Sequence, residues 1–219
     1  MSDPQSDYVS VIGISWLYPI LALLEQLEPF KGQSGNDVQV AVKHNGYAVA
    51  VVTQATFIVE SFLNRTRLFA TASAASGKRQ SALEFFRSQF PASGLDSQLE
   101  ELFVARDVIV HNHLWEAEIV WTSTGMEFVA PPVHQGRPLY GDDKFDKVID
   151  RTNRKTRILG LNLFPTRVCR QDAIIALKAA YGILEYLENQ DRRYCYVSHW
   201  PLILHGRYLS FSDFIDQLI

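Results

Sequence analysis

Along the chain, apolar positions recur mostly at helical spacing. The uncharged run YVSVIGISWLYPILALL, Tyr8 to Leu24, opens a first helix expected over about Val11 to Glu28, ending before Pro29. The loop GQSGN (Gly32 to Asn36) follows, and Asn36 or Asp37 can cap the next element. The stretch from Val38 to Arg65 carries two patterns at once. VQVAVKHNGYAVAVV alternates on either side of Asn45-Gly46, as a β-hairpin would. On a helical wheel, however, Val38, Ala41, Ala48, Val52, Thr56, Val59 and Leu63 share one arc, widened by Ala55, Ile58 and Phe62. Gln39, Lys43, Gln54, Ser61 and Arg65 fall opposite. One register organises the whole stretch, which predicts one long helix, with Gly46 costing about 1 kcal/mol in its interior.

Ser76-Gly77 begins a loop, and Ser81 to Phe90 reads as a short helix ended by Pro91. After the Ser93-Gly94 break, Asp96 is placed to cap a helix running to about Glu118. The pattern then changes: EIVW, TSTG and MEFVAPP predict a two-stranded hairpin around Gly125. Proline and glycine punctuate residues 131–141, Asp142 to Asp150 suits a short helix, and RTNRKTR (Arg151 to Arg157) is a basic run in a connector that ends at Pro165. Thr166 is the expected cap of a long amphipathic helix with Ile174, Leu177, Tyr181, Leu184 and Leu187 as its stripe. The tail is rich in aromatic residues and closes on SFSDFIDQLI, a last short helix capped by Ser210 or Ser212. These elements predict an all-α fold, a helical bundle in a single domain over 1–219. A hairpin and loop insertion occupies 117–165, before the last long helix, and 191–219 forms a C-terminal extension.

With 219 residues and 47% hydrophobic content, the chain has the mass for one real core. The formal net charge of -3 argues against a general nucleic-acid coat, though a local basic cleft depends on where the charges sit. Cys169 and Cys195 lack CxxC spacing and paired Cys/His clusters, so neither a disulfide framework nor a zinc site is indicated, and no cofactor is expected. A reducing cytoplasm is the simplest home. The Tyr8–Leu24 run is at the short limit for a membrane span, contains Pro19, and has neither a basic lead-in nor a cleavage site. It reads as a buried helix of a soluble protein with no membrane partner.

The stretch that departs from a simple apolar pattern is FVARDVIVHNHLWE, Phe103 to Glu116. With Arg106 at zero on the wheel, Leu99, Leu102, Phe103, Ile109, Val110 and His113 lie within roughly 60° of it. Arg106 is therefore expected within the core stripe, where a guanidinium needs a paired acid. Glu60, in FIVESFLNR at the edge of the apolar arc of the long helix, is the candidate, with Asn64 one turn further along that edge. Asp107 and His111 form an i, i+4 pair on another side of the helix, accompanied by Val104, Val108 and Trp115. Apolar residues around a histidine and a carboxylate predict a surface buried between two copies of the chain.

RDVIVHNH resembles the signature of the HEPN superfamily: an arginine, a polar residue directly after it, and a histidine a few residues on. Arg106, Asp107 and His111 fit it as R-x4-H. VESFLN, Val59 to Asn64, resembles the preceding long helix of that family, where an acid often supports the arginine. The order of helices over roughly residues 11–190 is similar too; the hairpin insertion and the tail are not part of the minimal pattern. The resemblance implies an HEPN-like up-and-down bundle and a metal-independent endoribonuclease acting as a homodimer on RNA, in the manner of a toxin or defence effector. Arg106, Asp107 and His111 would be catalytic, with Glu60, Asn64, Asn112 and His113 supporting them. It leaves room for an antitoxin or another regulatory protein as a partner.

Alternatives are distinguishable by chemistry. The letters HNH at 111–113 suggest a metal nuclease, but on a helix His111 and His113 point about 160° apart and cannot share a metal. His44, His134, His199 and His205 stand alone and read as structural. Arg151, Arg154, Lys155 and Arg157 suit either a solvated loop or a contact to an RNA backbone. The same bundle could also serve as a non-catalytic module binding RNA, a nucleotide or a protein.

Overall fold

The computed structural model describes residues 12–33, 39–71, 80–111, 118–129, 143–204 and 206–218. Its longest element is helix α3, Val42–Thr71, whose 30 residues extend about 45 Å. The helical register over this stretch therefore prevails over the hairpin register. Asn45 shows why its Asn-Gly pair makes no turn: its side-chain amide donates to the carbonyls of Pro165 (2.7 Å) and Val168 (3.0 Å). Gly46 is exposed within the helix, with nothing crowding it.

The other helices pack around α3. Helices α1 (Ile12–Ser15) and α2 (Leu17–Leu27) lie against one part of it. They are two helices, not one, because Pro19 has no N–H to offer the carbonyl of Ser15 and its ring would collide there. Ile14, Leu17, Ile20, Leu21, Leu24 and Leu27 are buried, each contributing on the order of 1.5–3 kcal/mol of transfer free energy. A 3-10 turn, Glu28–Phe30, takes in Pro29 at the end of α2. At the α1–α3 crossing, a Cβ on Gly13 would sit 2.8 Å from the Phe62 ring, so the two helices meet as closely as glycine permits. By length and composition alone, Val42–Ala70 could cross a membrane; here half of its apolar window is buried, and the helix packs on α1, α2, α5 and α7.

Helix α4 (Ala82–Gln89) begins with a capping box, in which Ser81 Oγ accepts from the Glu84 amide and the Glu84 carboxylate accepts from the Ser81 amide. Helix α5, Asp96–His111, carries the candidate motif. The hairpin of β1 (Glu118–Thr122) and β2 (Gly125–Val129) forms where the alternation predicted it, pairing Trp121 with Met126. Helix α6 (Asp143–Val148) leads into a second, very short hairpin, β3 (Ile149–Asp150) with β4 (Lys155–Thr156). The basic run thus forms a turn, not an open loop, with Arg154 at φ 55.

Helix α7, Arg170–Gln190, makes the most extensive contact with α3, and all five residues of its predicted stripe are buried. It does not start at Thr166, which lies in a 3-10 turn, Pro165–Arg167. Cys169 is the N-cap, and the Asp172 carboxylate accepts its amide at 2.8 Å. That carboxylate also accepts the backbone and side-chain amides of Asn162, so it fixes the connector as well as the helix start. The tail forms an unforeseen hairpin, β5 (Pro201–Leu204) and β6 (Arg207–Ser210), turning at Gly206 with φ 75. Ser210 then caps α8, Phe211–Gln217, as one of the two expected caps. The described chain is mostly helical, with short two-stranded hairpins between and after the helices.

Candidate functional site

Helix α5 is covered by α3, α4, α6 and α7. Leu99, Leu102, Ala105, Val108, Ile109 and Val104 are all buried, and so is Glu101. The centre of this wide arc runs through Ala105, roughly 100° from Arg106. The less buried strip carries Arg106, Asp107, Val110 and His111, with the half-buried Phe103 and Glu100 among them. Among the described residues, the polar residues of the motif thus lie on the less buried side of α5.

This corrects two expectations. Arg106 is not in the core; its side chain keeps 25% exposure, at the edge of the packed arc. Val104 and Val108, expected between two copies, are 2% and 0% exposed within the single chain and belong to its own core. Helix α5 has more neighbours than a simple bundle would give it: α6 packs on it and Glu101 accepts amides of the 157–159 segment, while Val104 borders residues of α3 and α4. Val110, at 53% exposure, is the large apolar residue that the less buried strip does offer.

Arg106 lines an open cleft of about 250 Å³ with Glu60, Ser81, Ala82, Leu83, Glu100, Phe103, Val104 and Asp107. Three helices build it: α3 supplies Glu60, the start of α4 supplies the apolar floor, and α5 supplies the rest. Arg106 Nη1 lies 4.0 Å from Glu60 Oε2, so the expected pairing across α3 and α5 is present at long range. Arg106 Nε is nearer to Asp107 Oδ1, at 3.0 Å, though the N–H is not aligned on that oxygen as a hydrogen bond. The guanidinium sits between the rings of Phe57 and Phe103, each 6.0 Å away, within cation–π range. Neither acid grips it in a bidentate fork, and its Nε is buried beside Asp107.

His111 is exposed at the last residue of α5, one turn beyond Asp107, and does not line the cleft. Asn64 is exposed on α3, also outside the cleft lining. Asn112, His113 and Trp115 lie outside the described residues, as do His134 and His205. His44 is buried and His199 is exposed. The basic run makes local contacts at the surface. Arg151 is paired with Asp146, Arg157 donates to the carbonyl of Asp146, and Arg154 stacks over Phe164. Glu101 anchors the adjoining segment by accepting the amides of Ile158 (2.8 Å) and Leu159 (2.7 Å). Glu101 lies roughly 140° from Arg106 and 80° from His111 on the wheel, so this segment is held away from the Arg106 side of α5.

Two further carboxylates of the same kind were not singled out from the sequence. Asp172 holds the start of α7, and Glu188 accepts the amides of Val197 (3.1 Å) and Ser198 (2.9 Å) to hold the tail. The signal for Glu101 was legible: the wheel puts it between Val108 and Ala105, and a carboxylate there needs donors from elsewhere. Among the described residues, no three His, Cys, Asp or Glu side chains come together in a way that could hold a metal ion. Comparisons with protein-family models, curated proteins and solved structures gave no match.

Proposed function

We propose that this chain is a metal-independent endoribonuclease of the HEPN type, acting as a homodimer. The observation that carries the reading is the shared, less buried strip of α5: Arg106 and Asp107 border an open cleft within reach of Glu60, and His111 is exposed one turn further on. RNA brings its own nucleophile. The ribose 2′-oxygen attacks the adjacent phosphorus, the bond from phosphorus to the 5′-oxygen breaks, and the products are a 2′,3′-cyclic phosphate and a 5′-hydroxyl. The reaction needs a group to take the 2′-hydroxyl proton, a group to protonate the leaving oxygen, and positive charge on the phosphorane. His111 suits the proton transfers, and Arg106 suits the phosphate because it keeps its charge and binds oxyanions through a fork. Asp107 and Glu60 orient the guanidinium. One chain offers one histidine of this kind, and a two-fold pair joined over the strip containing Val110 and His111 supplies two.

The test is incubation with single-stranded RNA in the presence of a chelator, followed by analysis of product ends. Cleavage to cyclic phosphate and 5′-hydroxyl termini is expected, with DNA resistant and His111→Ala inactive but folded. Activity that survives in His111→Ala, or that disappears with the chelator, rejects the mechanism. A second reading has one observation in its favour: Glu60, Glu100 and Asp107 outnumber Arg106 in the cleft lining. That balance suits a non-catalytic module that receives a partner at this cleft. Intact, dimeric protein that leaves RNA uncut would favour it.

A further inference from the structure

The N-terminal ends of α3 and α7 are joined by polar contacts that the ribonuclease reading does not use. The Val40 amide donates to the Thr166 carbonyl at 3.1 Å, and Asn45 donates to the carbonyls of Pro165 and Val168. Between them lies His44, 2% exposed, in the first turn of α3. Its Nε2 accepts the backbone amide of Arg170, the first residue of α7, at 2.8 Å. Its ring stacks on Phe30 from the turn after α2, with centroids 4.8 Å apart and planes 11° from parallel. A neutral imidazole thus serves as the acceptor for a helix N-terminal amide, across two helices.

An imidazole can accept at Nε2 only while that nitrogen carries no proton. Protonation would turn the acceptor into a donor facing another donor, the Arg170 amide. It would also add a positive charge at the positive end of the α7 dipole. We propose that His44 is a pH-sensitive pin, which holds the start of α7 and the connector before it onto α3 when neutral and releases them when protonated.

The groups around it set the direction. Burial opposes a charged ring most strongly, and Arg170 on α7 adds to that effect; Asp172 on α7 works the other way. Glu28, at the end of α2, is engaged by the Arg170 guanidinium at 2.7 Å, and on α7 the Asp172 carboxylate is occupied by amides of Asn162 and Cys169. Lys43 flanks the histidine on α3 itself and Cys169 caps α7; both are uncharged or repulsive toward an imidazolium. The net result is a His44 pKa below its ordinary value near 6.5. A depressed histidine pKa means the pin is fully in place above that ordinary value. Its contribution is lost as pH falls toward the folded-state pKa, because the unfolded or released form binds the proton more tightly.

Amide hydrogen exchange of the full chain between pH 7.5 and pH 5, corrected for the intrinsic rate, tests this. Protection at 165–172 should fall with pH below the ordinary histidine value, by up to about tenfold per pH unit for one linked proton. Protection in the centre of α7, around Ala176 to Ala180, should change less. His44→Gln keeps a carbonyl acceptor but does not titrate, so its exchange at 165–172 should lose the pH dependence. In parallel, the His44 ring in the wild-type chain should titrate below 6.5 by NMR, which holds whether or not the variant folds. Protection at 165–172 that is flat with pH, an unchanged pH dependence in His44→Gln, or a His44 ring that titrates at or above its ordinary value would each overturn the proposal. The readouts are independent of RNA cleavage.

Discussion

Two acids serve α5, and the fold assigns them opposite weights. Glu60 faces Arg106 across 4.0 Å, with side-chain exposures of 39% and 25%, so water screens the pair. Exposed pairs of this kind contribute up to about 1 kcal/mol. Glu101 is buried and each of its oxygens accepts one backbone amide, from Ile158 and Leu159. Hydrogen bonds to a charged group contribute about 1.5–3 kcal/mol each, so removing both together should cost about 3–5 kcal/mol. For a chain of this size, with a shift of about 2–4 °C per kcal/mol, Glu101→Ala should lower Tm by about 10 °C and Glu60→Ala by under about 4 °C. Glu101→Gln, with one carbonyl oxygen in place of two carboxylate oxygens, should fall between the alanine variant and wild type. Thermal melts give the ranking, and hydrogen exchange gives the location: the Ile158 and Leu159 amides should lose protection in Glu101→Ala. A larger Tm loss for Glu60→Ala than for Glu101→Ala, or undiminished protection at both amides, would refute the reasoning.

Gly13→Ala places a methyl group 2.8 Å from the Phe62 ring, so overpacking of about 1–3 kcal/mol should exceed the gain of about 1 kcal/mol in helix propensity, and denaturant unfolding should show a net loss. Adding Phe62→Leu should recover part of that loss, giving a non-additive double-mutant cycle. Burial pushes both thiols above their ordinary pKa, Cys195 strongly and Cys169 with help from Asp172. Alkylation by iodoacetamide near neutral pH should therefore be slow in the native chain and rise sharply on unfolding; rapid native modification of Cys195 would contradict its burial.

The helices were legible wherever one periodicity organised a long stretch. The apolar arc of α3 and the stripe of α7 needed no tertiary information, because each helix buries a continuous face. Boundaries failed where side chains from distant segments decide them. The start of α7 moved from Thr166 to Cys169 because Asp172 gathers amides from both Cys169 and Asn162. The β5–β6 hairpin was hidden because its strands are short and Pro201 masks the first, while its pairing depends on a turn at Gly206.

The site divides along the same line. Its residue identities were readable: Arg106, Asp107 and Glu60 do meet, since i, i+1 neighbours and an acid on the facing helix require only correct registers. The direction of the motif within the fold was not. A wheel reports which residues share a face, but not which faces find cover, and α5 is covered on more sides than a four-helix picture allows. Part of that coverage comes through a polar pin: Glu101, beside Val108 on the wheel, accepts amides of the 157–159 segment, while Val104 and Val108 are buried within the single chain. A buried carboxylate costs several kcal/mol unless backbone donors meet it, so its presence on an apolar arc implies a segment that comes to it. Arg106, by contrast, lies at the edge of the packed arc, in the cleft that α5 forms with α3 and the start of α4. The arginine lies there near two acids and two aromatic rings, with one quarter of its side chain exposed at the cleft.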